Sequence, residues 1–418
     1  MPAPPLAPNP QPGVNEAMKT KVAVQDLRFG MYVYQLDRPW TETPFAFQGF
    51  LLNSEEQRKT LKQYCQHVFV DSERSEEDPN RSGAAVRGSL GAPSGVRRIE
   101  HVEHVSVENE FPRAREAFAG AESVVEGAFQ TLRAGSTLNV TATAQVVSRM
   151  TESVLRNPDA MLLFSSLMKR GGHLLDRAVN CSIYMLTFAR FLGMERADVE
   201  RAGNVGMLQD VGMLEMPESL IAKNGPLSSD EIELVRTHVL RGVERLRRAN
   251  ISAEITDIVA QHHERHNGSG YPHRLKGPEI STIGACAGIV DTFGAMTKHR
   301  PYANEMSPSN VLGILHKSRD GLFNGWLVEE YIRCIGIFPV GSVVELNTGE
   351  VGIVISQNIA KRLQPRVMVI KDAKGQPLRP QKLLDLSRPS NATAEESTRI
   401  RRTLEYSRAG VSAQEMFL

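Results

Sequence analysis

The sequence predicts a mainly α-helical protein, a helical bundle with a small α+β domain before it and a small β unit after it. Three observations predict this. Across 111–335, apolar residues return at helical spacing in one segment after another. Upstream, in 20–72, alternating and β-branched stretches flank a single short helical pattern, and beyond Gly336 the apolar period switches to two. With 418 residues, 41% of them hydrophobic, the chain is long enough for two or three domains with cores of their own.

Taken in order, residues 1–19 form a Pro-rich arm without an apolar period, read as disordered. The domain at 20–72 runs from "VAVQDLRFGMYVYQLDRPW" to "HVFVDS", with Ser54 as a helix cap, Leu61 as a core contact and Trp40, Phe45, Phe47 and Phe50 as an aromatic core cluster. Residues 73–110, rich in Ser, Gly, Pro and charge, read as a flexible linker. Within the helical domain at 111–335, Val140, Val147, Met150 and Val154 share one helix face. "LLDRAVNCSIYMLTFARFLGM" is apolar on both faces, as a buried helix is. "LSSDEIELVRTHVLRGVERLRR" opens on a Ser228/Glu231 capping box and reads as one amphipathic helix. The β unit at 336–388 has short strands split by the turn "NTGE". In 389–418, Thr393 and Glu396 form a second capping box and Gly410 a stop, which predicts a terminal helix and a loose tail.

Composition excludes several functions. There are 49 Lys and Arg against 48 acids, a net charge of +1, so nothing in the overall balance argues for DNA, RNA or an anionic membrane as partner. The four cysteines, Cys65, Cys181, Cys286 and Cys334, are far apart and form no CxxC pair, as expected of buried thiols in a reducing compartment. No apolar run approaches the ~20 residues of a membrane span, and the expected location is the cytoplasm.

Four pieces of the helical domain carry metal-compatible side chains: Asp210, His238, the pair His262 and His263, and Asp291. Imidazole with carboxylate suits Fe, Mn, Ni or Zn. Spacing alone does not prove that they converge, and each has a plain alternative as a hydrogen-bonded core histidine or a paired acid. His266 and His273, in the glycine-rich turn, read as solvent-facing.

The order of the pieces resembles the HD-GYP family of bacterial cyclic di-GMP phosphodiesterases over about 160–335, and the bundle is then of HD type. "HHERHNGSGYPHRLKGPEI" is similar to the family signature, "GIVDTFGAMTKHRPY" resembles the segment with an Asp ligand and Arg-Pro-Tyr, and "LQDVGMLEMPESLIAKNGPLSSDEIELVRTHVLRG" resembles the stretch that opens with His-Asp and ends on a ligand His. Residues 20–72 resemble the domain that often precedes HD-GYP domains. The resemblance implies a metal-dependent hydrolase of cyclic di-GMP acting in signal transduction. Asp210, His238, His262, His263 and Asp291 are implied as metal ligands, and Gly270, Tyr271, Pro272, Arg300 and Tyr302 as substrate-facing residues. It also implies docking of diguanylate cyclase domains on the Gly-Tyr-Pro loop; a homodimer is expected by analogy only.

The departures fall on one side of the implied site. Gln209 stands where the family has the His of His-Asp, Met213 where it has a lysine, Arg177 where an earlier helix supplies a ligand His, Ala303 after Arg-Pro-Tyr, and Asn267 before the first signature glycine. His173, one turn before Arg177, is a surface residue or a further ligand. The expectation is one divalent transition metal at most (Fe, Mn, Ni or Zn), with Arg177 paired to Asp291 or Asp210 in place of a second ion. No catalytic residue follows with certainty. The implied function is a cyclic di-GMP receptor or protein-interaction module with weak or lost hydrolase activity; the alternatives are an active phosphodiesterase with an altered site and a scaffold that binds neither metal nor nucleotide.

Overall fold

The computed structural model describes residues 19–38, 43, 50–52, 55–71, 75, 99–101, 103, 105–133, 139–167, 173–221, 223, 225–297, 306–358, 361–388 and 398–404. The fold is mainly α with two small strand-bearing parts, and the chain divides into units Met1–Gly88 and Ser89–Leu418.

In the first unit, strands β1 (Lys19–Ala23), β2 (Tyr32–Leu36), β3 (Phe50–Leu51) and β4 (His67–Asp71) form an antiparallel sheet in the order β1-β4-β2-β3, with helix α1 (Glu55–Tyr64) between β3 and β4. Alternation along β4 sends Val68 and Val70 into one core with Leu52, Leu61 and Cys65, and a register shift between Val33 and Gln35 brings both Val33 and Leu36 of β2 to the same side. Half-buried Asp37 accepts the Gln66 and His67 amides, at 2.7 and 3.2 Å, where the chain enters β4. Trp40, Phe45, Phe47 and Ser54 lie outside the described residues.

The second unit is built on helices α2 (Val107–Arg133), α3 (Val140–Arg156), α4 (Pro158–Leu167), α5 (His173–Phe191), α6 (Arg196–Leu208), α7 (Glu218–Ile221), α8 (Ser229–Arg236), α9 (His238–Arg248), α10 (Ala253–Val259), α11 (Thr282–Thr297), α12 (Pro308–Lys317) and α13 (Gly325–Ile335). Helix α2 starts inside the stretch whose composition reads as linker. Val147, Met150 and Val154 of α3 are fully buried, each contributing roughly 1.5–3 kcal/mol. No helix among the described residues is long and apolar enough to cross a membrane. The four cysteines are free thiols, and Cys65, Cys181 and Cys286 are buried.

The predicted single helix from Ser229 is two helices. The Ser228/Glu231 capping box is present and is reinforced by Lys223, whose ammonium holds Glu231. Eight residues on, the Thr237 amide and hydroxyl both donate to the Leu234 carbonyl, at 3.1 and 2.6 Å, and the His238 ring takes the Val235 carbonyl at 2.6 Å. Side chains have taken acceptors that a continuous helix would need, so the helix ends and α9 begins on His238.

Strands β5 (Val343–Leu346), β6 (Val351–Ser356), β7 (Arg366–Lys371), β8 (Pro377–Asp385) and β9 (Ile400–Leu404) make an antiparallel sheet in the order β8-β7-β6-β5-β9. β9 corrects the predicted terminal helix. Residues 400–404 are strand, because β5 has a free edge and Glu345 at that edge pairs with Arg402 at 2.6 Å. Thr393, Glu396 and Gly410 lie outside the described residues.

Asp159, in the first turn of α4, ties the sheet to the bundle by accepting from the Ser356 hydroxyl at 2.8 Å and the Gln357 amide at 3.0 Å through one oxygen. Burial foremost, and then the negative charge of Glu103, push its carboxyl up to about 7 from an ordinary 3.8. A carboxyl whose folded pKa is raised contributes stability at low pH that is lost as pH climbs through about 7. Asp159→Asn keeps one acceptor oxygen and removes the charge. Calorimetric unfolding of the variant should lack up to about 4 kcal/mol of the destabilisation that wild type suffers between about pH 4 and 7. Identical pH profiles would refute this.

Candidate metal centre

Three local devices bring the ligand side chains together. Asp210 follows α6 and enters a 3-10 turn, Val211–Glu215, that presses on the first turn of α9. A Cβ on Gly212 would lie 1.9 Å from the His238 carbonyl oxygen, so only glycine permits that approach. His238 opens α9 and His262 follows α10. Each passes its Nδ1 to the carbonyl three residues earlier, Val235 at 2.6 Å and Val259 at 2.7 Å.

These bonds fix the tautomers. A carbonyl only accepts, so Nδ1 carries the proton in both rings and a neutral ring leaves Nε2 as a bare acceptor. The two Nε2 atoms face each other at 3.3 Å, and Asp210 Oδ1 stands 3.6 Å from that of His238. Three lone-pair donors converging in a buried space repel one another unless a cation lies among them. The ligand atoms of Asp210, His238, His262 and His263 all lie within 4.8 Å of one another, and this donor set fits Fe, Mn, Ni or Zn. Ionisation states agree. Burial foremost, with His238 second among the lowering influences, keeps His262 below its ordinary pKa; burial and then His262, His238, Arg265 and Arg177 push His263 far lower. Burial alone would raise Asp210, yet Arg177, His262 and His238 together hold it well below the usual carboxylate range. Neutral imidazole and ionised carboxylate are the forms a metal needs.

Asp291 is not grouped with these four. Arg177, on α5, donates its Nε to Asp210 Oδ2 and one Nη to Asp291 Oδ1, so a single guanidinium spans both carboxylates. Asp210 therefore divides its oxygens, Oδ2 toward a fixed cation and Oδ1 toward the histidines. Gln209 is fully buried; its amide nitrogen donates to Asp291 Oδ1 at 3.2 Å, and its Oε1 has no hydrogen-bond partner among the described residues. Asp291 Oδ2 lies 3.9 Å from His263 Nδ1.

The glycine turn covers the centre. The Tyr271 ring stacks on His263, centroids 4.7 Å apart at 24°, and burial foremost raises its phenol, so it stays a proton donor. Gly270 is buried where a Cβ would come within 2.4 Å of the Arg265 amide. Pro272 is half-buried, Met213 half-buried, Asn267 exposed and caps Ser269, His273 exposed and His266 half-buried. Arg300, Tyr302 and Ala303 lie outside the described residues, as does the His173 side chain. Sequence reasoning missed Glu264. It is buried, and its two oxygens accept the amides of His273 at 2.7 Å and Leu275 at 2.9 Å. Its place as third residue of "HHE" was the available signal.

Residues 162–325 match the HD domain, residues 19–143 a domain of unknown function (DUF3391), and residues 343–396 a KOW domain associated with HD domain. A cyclic di-GMP phosphodiesterase of Pseudomonas aeruginosa is 29% identical over 374 residues, 89% of this chain and 90% of that protein. A cyclic di-GMP phosphodiesterase of Thermotoga maritima is 31% identical over 147 residues, 35% of this chain and 40% of its own. Among solved structures, an HDG"Y"P protein of Bdellovibrio bacteriovorus aligns with TM-score 0.45 and 12% identity over 75% of this chain and 98% of its own.

Each Glu264 bond, charge-assisted and buried, is worth on the order of 1.5–3 kcal/mol. In Glu264→Gln one oxygen still accepts and the amide nitrogen cannot. Hydrogen exchange should show one of the His273 and Leu275 amides losing on the order of tenfold or more in protection, with α5 and α6 unchanged. Equal protection of both amides in the variant would contradict the clamp.

Proposed function

We propose, from the premise that the chain belongs to the HD-GYP family, that it binds cyclic di-GMP at this centre as a receptor or protein-interaction module with weak or lost hydrolase activity. The observation that carries this is the Arg177 guanidinium between Asp210 and Asp291. A dication placed about 4 Å from that fixed charge would meet roughly 8 kcal/mol of repulsion at an effective dielectric near 20, and arginine does not deprotonate to relieve it. Asp210, His238, His262 and His263 would hold one ion. When bound, a divalent ion there supplies Lewis-acid stabilisation of a phosphoryl oxygen.

The chain's own residues favour holding a phosphodiester over cleaving it. Tyr271, kept protonated, can donate to a phosphate oxygen, whereas Met213 brings no charge to the turn after Asp210 and the Gln209 amide is spent on Asp291. Losing one ion and one lysine removes elements worth several kcal/mol each in the transition state.

A second reading, an active phosphodiesterase with an altered ligand set, draws on the buried Gln209 Oε1, which has no hydrogen-bond partner among the described residues and could complete such a set. The relative that aligns over nearly its whole length is a named phosphodiesterase.

The test is hydrolysis of cyclic di-GMP by the purified chain loaded in turn with Mn, Fe, Ni and Zn, against His262→Ala. Turnover should not exceed the control while equilibrium dialysis still records binding. Arg177→His with Gln209→His should raise turnover by on the order of 100-fold. Wild-type turnover above the control would establish the second reading instead.

A further inference from the structure

Beside the metal centre lies an open cavity of about 450 Å³, within the roughly 300–1,000 Å³ of small-ligand clefts. Glu233, Arg236, Leu240, Gly270, Tyr271 and Arg274 are among the residues that line it. Three features mark it as built. The Arg236 guanidinium lies over the Tyr271 ring, 5.2 Å from its centroid, and that ring itself stacks on His263, so contacts run from the ligand cluster into the cavity. Arg236 and Glu233 pair at 2.5 Å, with side chains 47% and 69% exposed, a surface pair that yields readily to a competing ligand. Arg274 holds φ at +56°, a left-handed conformation that L side chains rarely adopt, and the two amides that Glu264 accepts, His273 and Leu275, bracket it. The Glu264 clamp thus holds a strained arginine at the cavity rim.

The geometry points to this cavity as a guanine subsite, resting on the reading that cyclic di-GMP is the ligand. Guanine presents two acceptors, O6 and N7, on one edge and two donors, N1–H and the exocyclic amine, on the other. Tyr271 offers the stacking face, and the base displaces the Arg236 guanidinium from it. Arg236 or Arg274 donates to O6 and N7, and the Glu233 carboxylate accepts from N1–H and the amine. Adenine mismatches on both edges: its N1 is an acceptor facing a carboxylate, it has no 2-amine, and its N6 amine faces a guanidinium although N7 still accepts. The phosphodiester then lies toward Tyr271 and the histidine cluster. Glu233, Arg236 and Arg274 are positioning and specificity residues for the base, outside the ligand set.

Calorimetric titration of the full chain with cyclic di-GMP and with cyclic di-AMP tests this. Wild type should prefer the guanine ligand by about 10- to 100-fold. Glu233→Gln and Arg236→Ala should each bring the ratio toward one by weakening cyclic di-GMP about tenfold, with cyclic di-AMP changing less than about twofold, which a misfolded variant would not show. If wild type binds cyclic di-GMP and neither variant alters the ratio, the subsite is refuted and the nucleotide reading stands. If wild type binds neither ligand, or binds both equally, both the subsite and its ligand assignment fall.

Discussion

One guanidinium, that of Arg177, is the constraint on which the centre depends. Asp210 and Asp291 arrive from different segments of the bundle, past the end of α6 and on α11, and both are buried. Two buried carboxylates without a counter-charge are expensive to desolvate and repel each other. Arg177 bridges both from α5, offsets one of the two negative charges and leaves each carboxylate a second oxygen toward the histidine side of the site. The centre therefore holds a protein cation on one face and is donor-rich, with a residual negative charge, on the other.

That asymmetry rests on backbone events away from the charges. The helix break at Thr237 frees the Val235 carbonyl to fix the His238 tautomer, and Gly212 allows the turn after Asp210 to reach α9. The Glu264 clamp on the glycine turn sets Tyr271 against His263 and holds Arg274 in its left-handed conformation. Binding of phosphate and base would then draw on one preformed surface whose parts are anchored separately.

Much of this was legible in the sequence, where periodicity and short motifs carry the signal. The helical domain, both small flanking units, the Ser228/Glu231 cap and the Asp210, His238, His262 and His263 pieces could all be read in order. Arg177 could be placed opposite the two acids only through the family resemblance. What escaped depends on contacts that no local pattern encodes. The break at Thr237 needs side chains to compete for carbonyls inside an unbroken amphipathic pattern, and β9 forms because β5 offers a free edge more than fifty residues away. The positive φ of Arg274 has no sequence signature, and the third position of "HHE" marks Glu264 without showing which amides it accepts.

The central claim is that a protein cation occupies one of the two positions where ions would otherwise sit. Metal content per chain, measured by mass spectrometry after reconstitution with excess Mn or Fe and removal of loosely bound ions, addresses it directly. The predicted result is one ion per wild-type chain, lost in His262→Ala. Two tightly held ions per wild-type chain would contradict it.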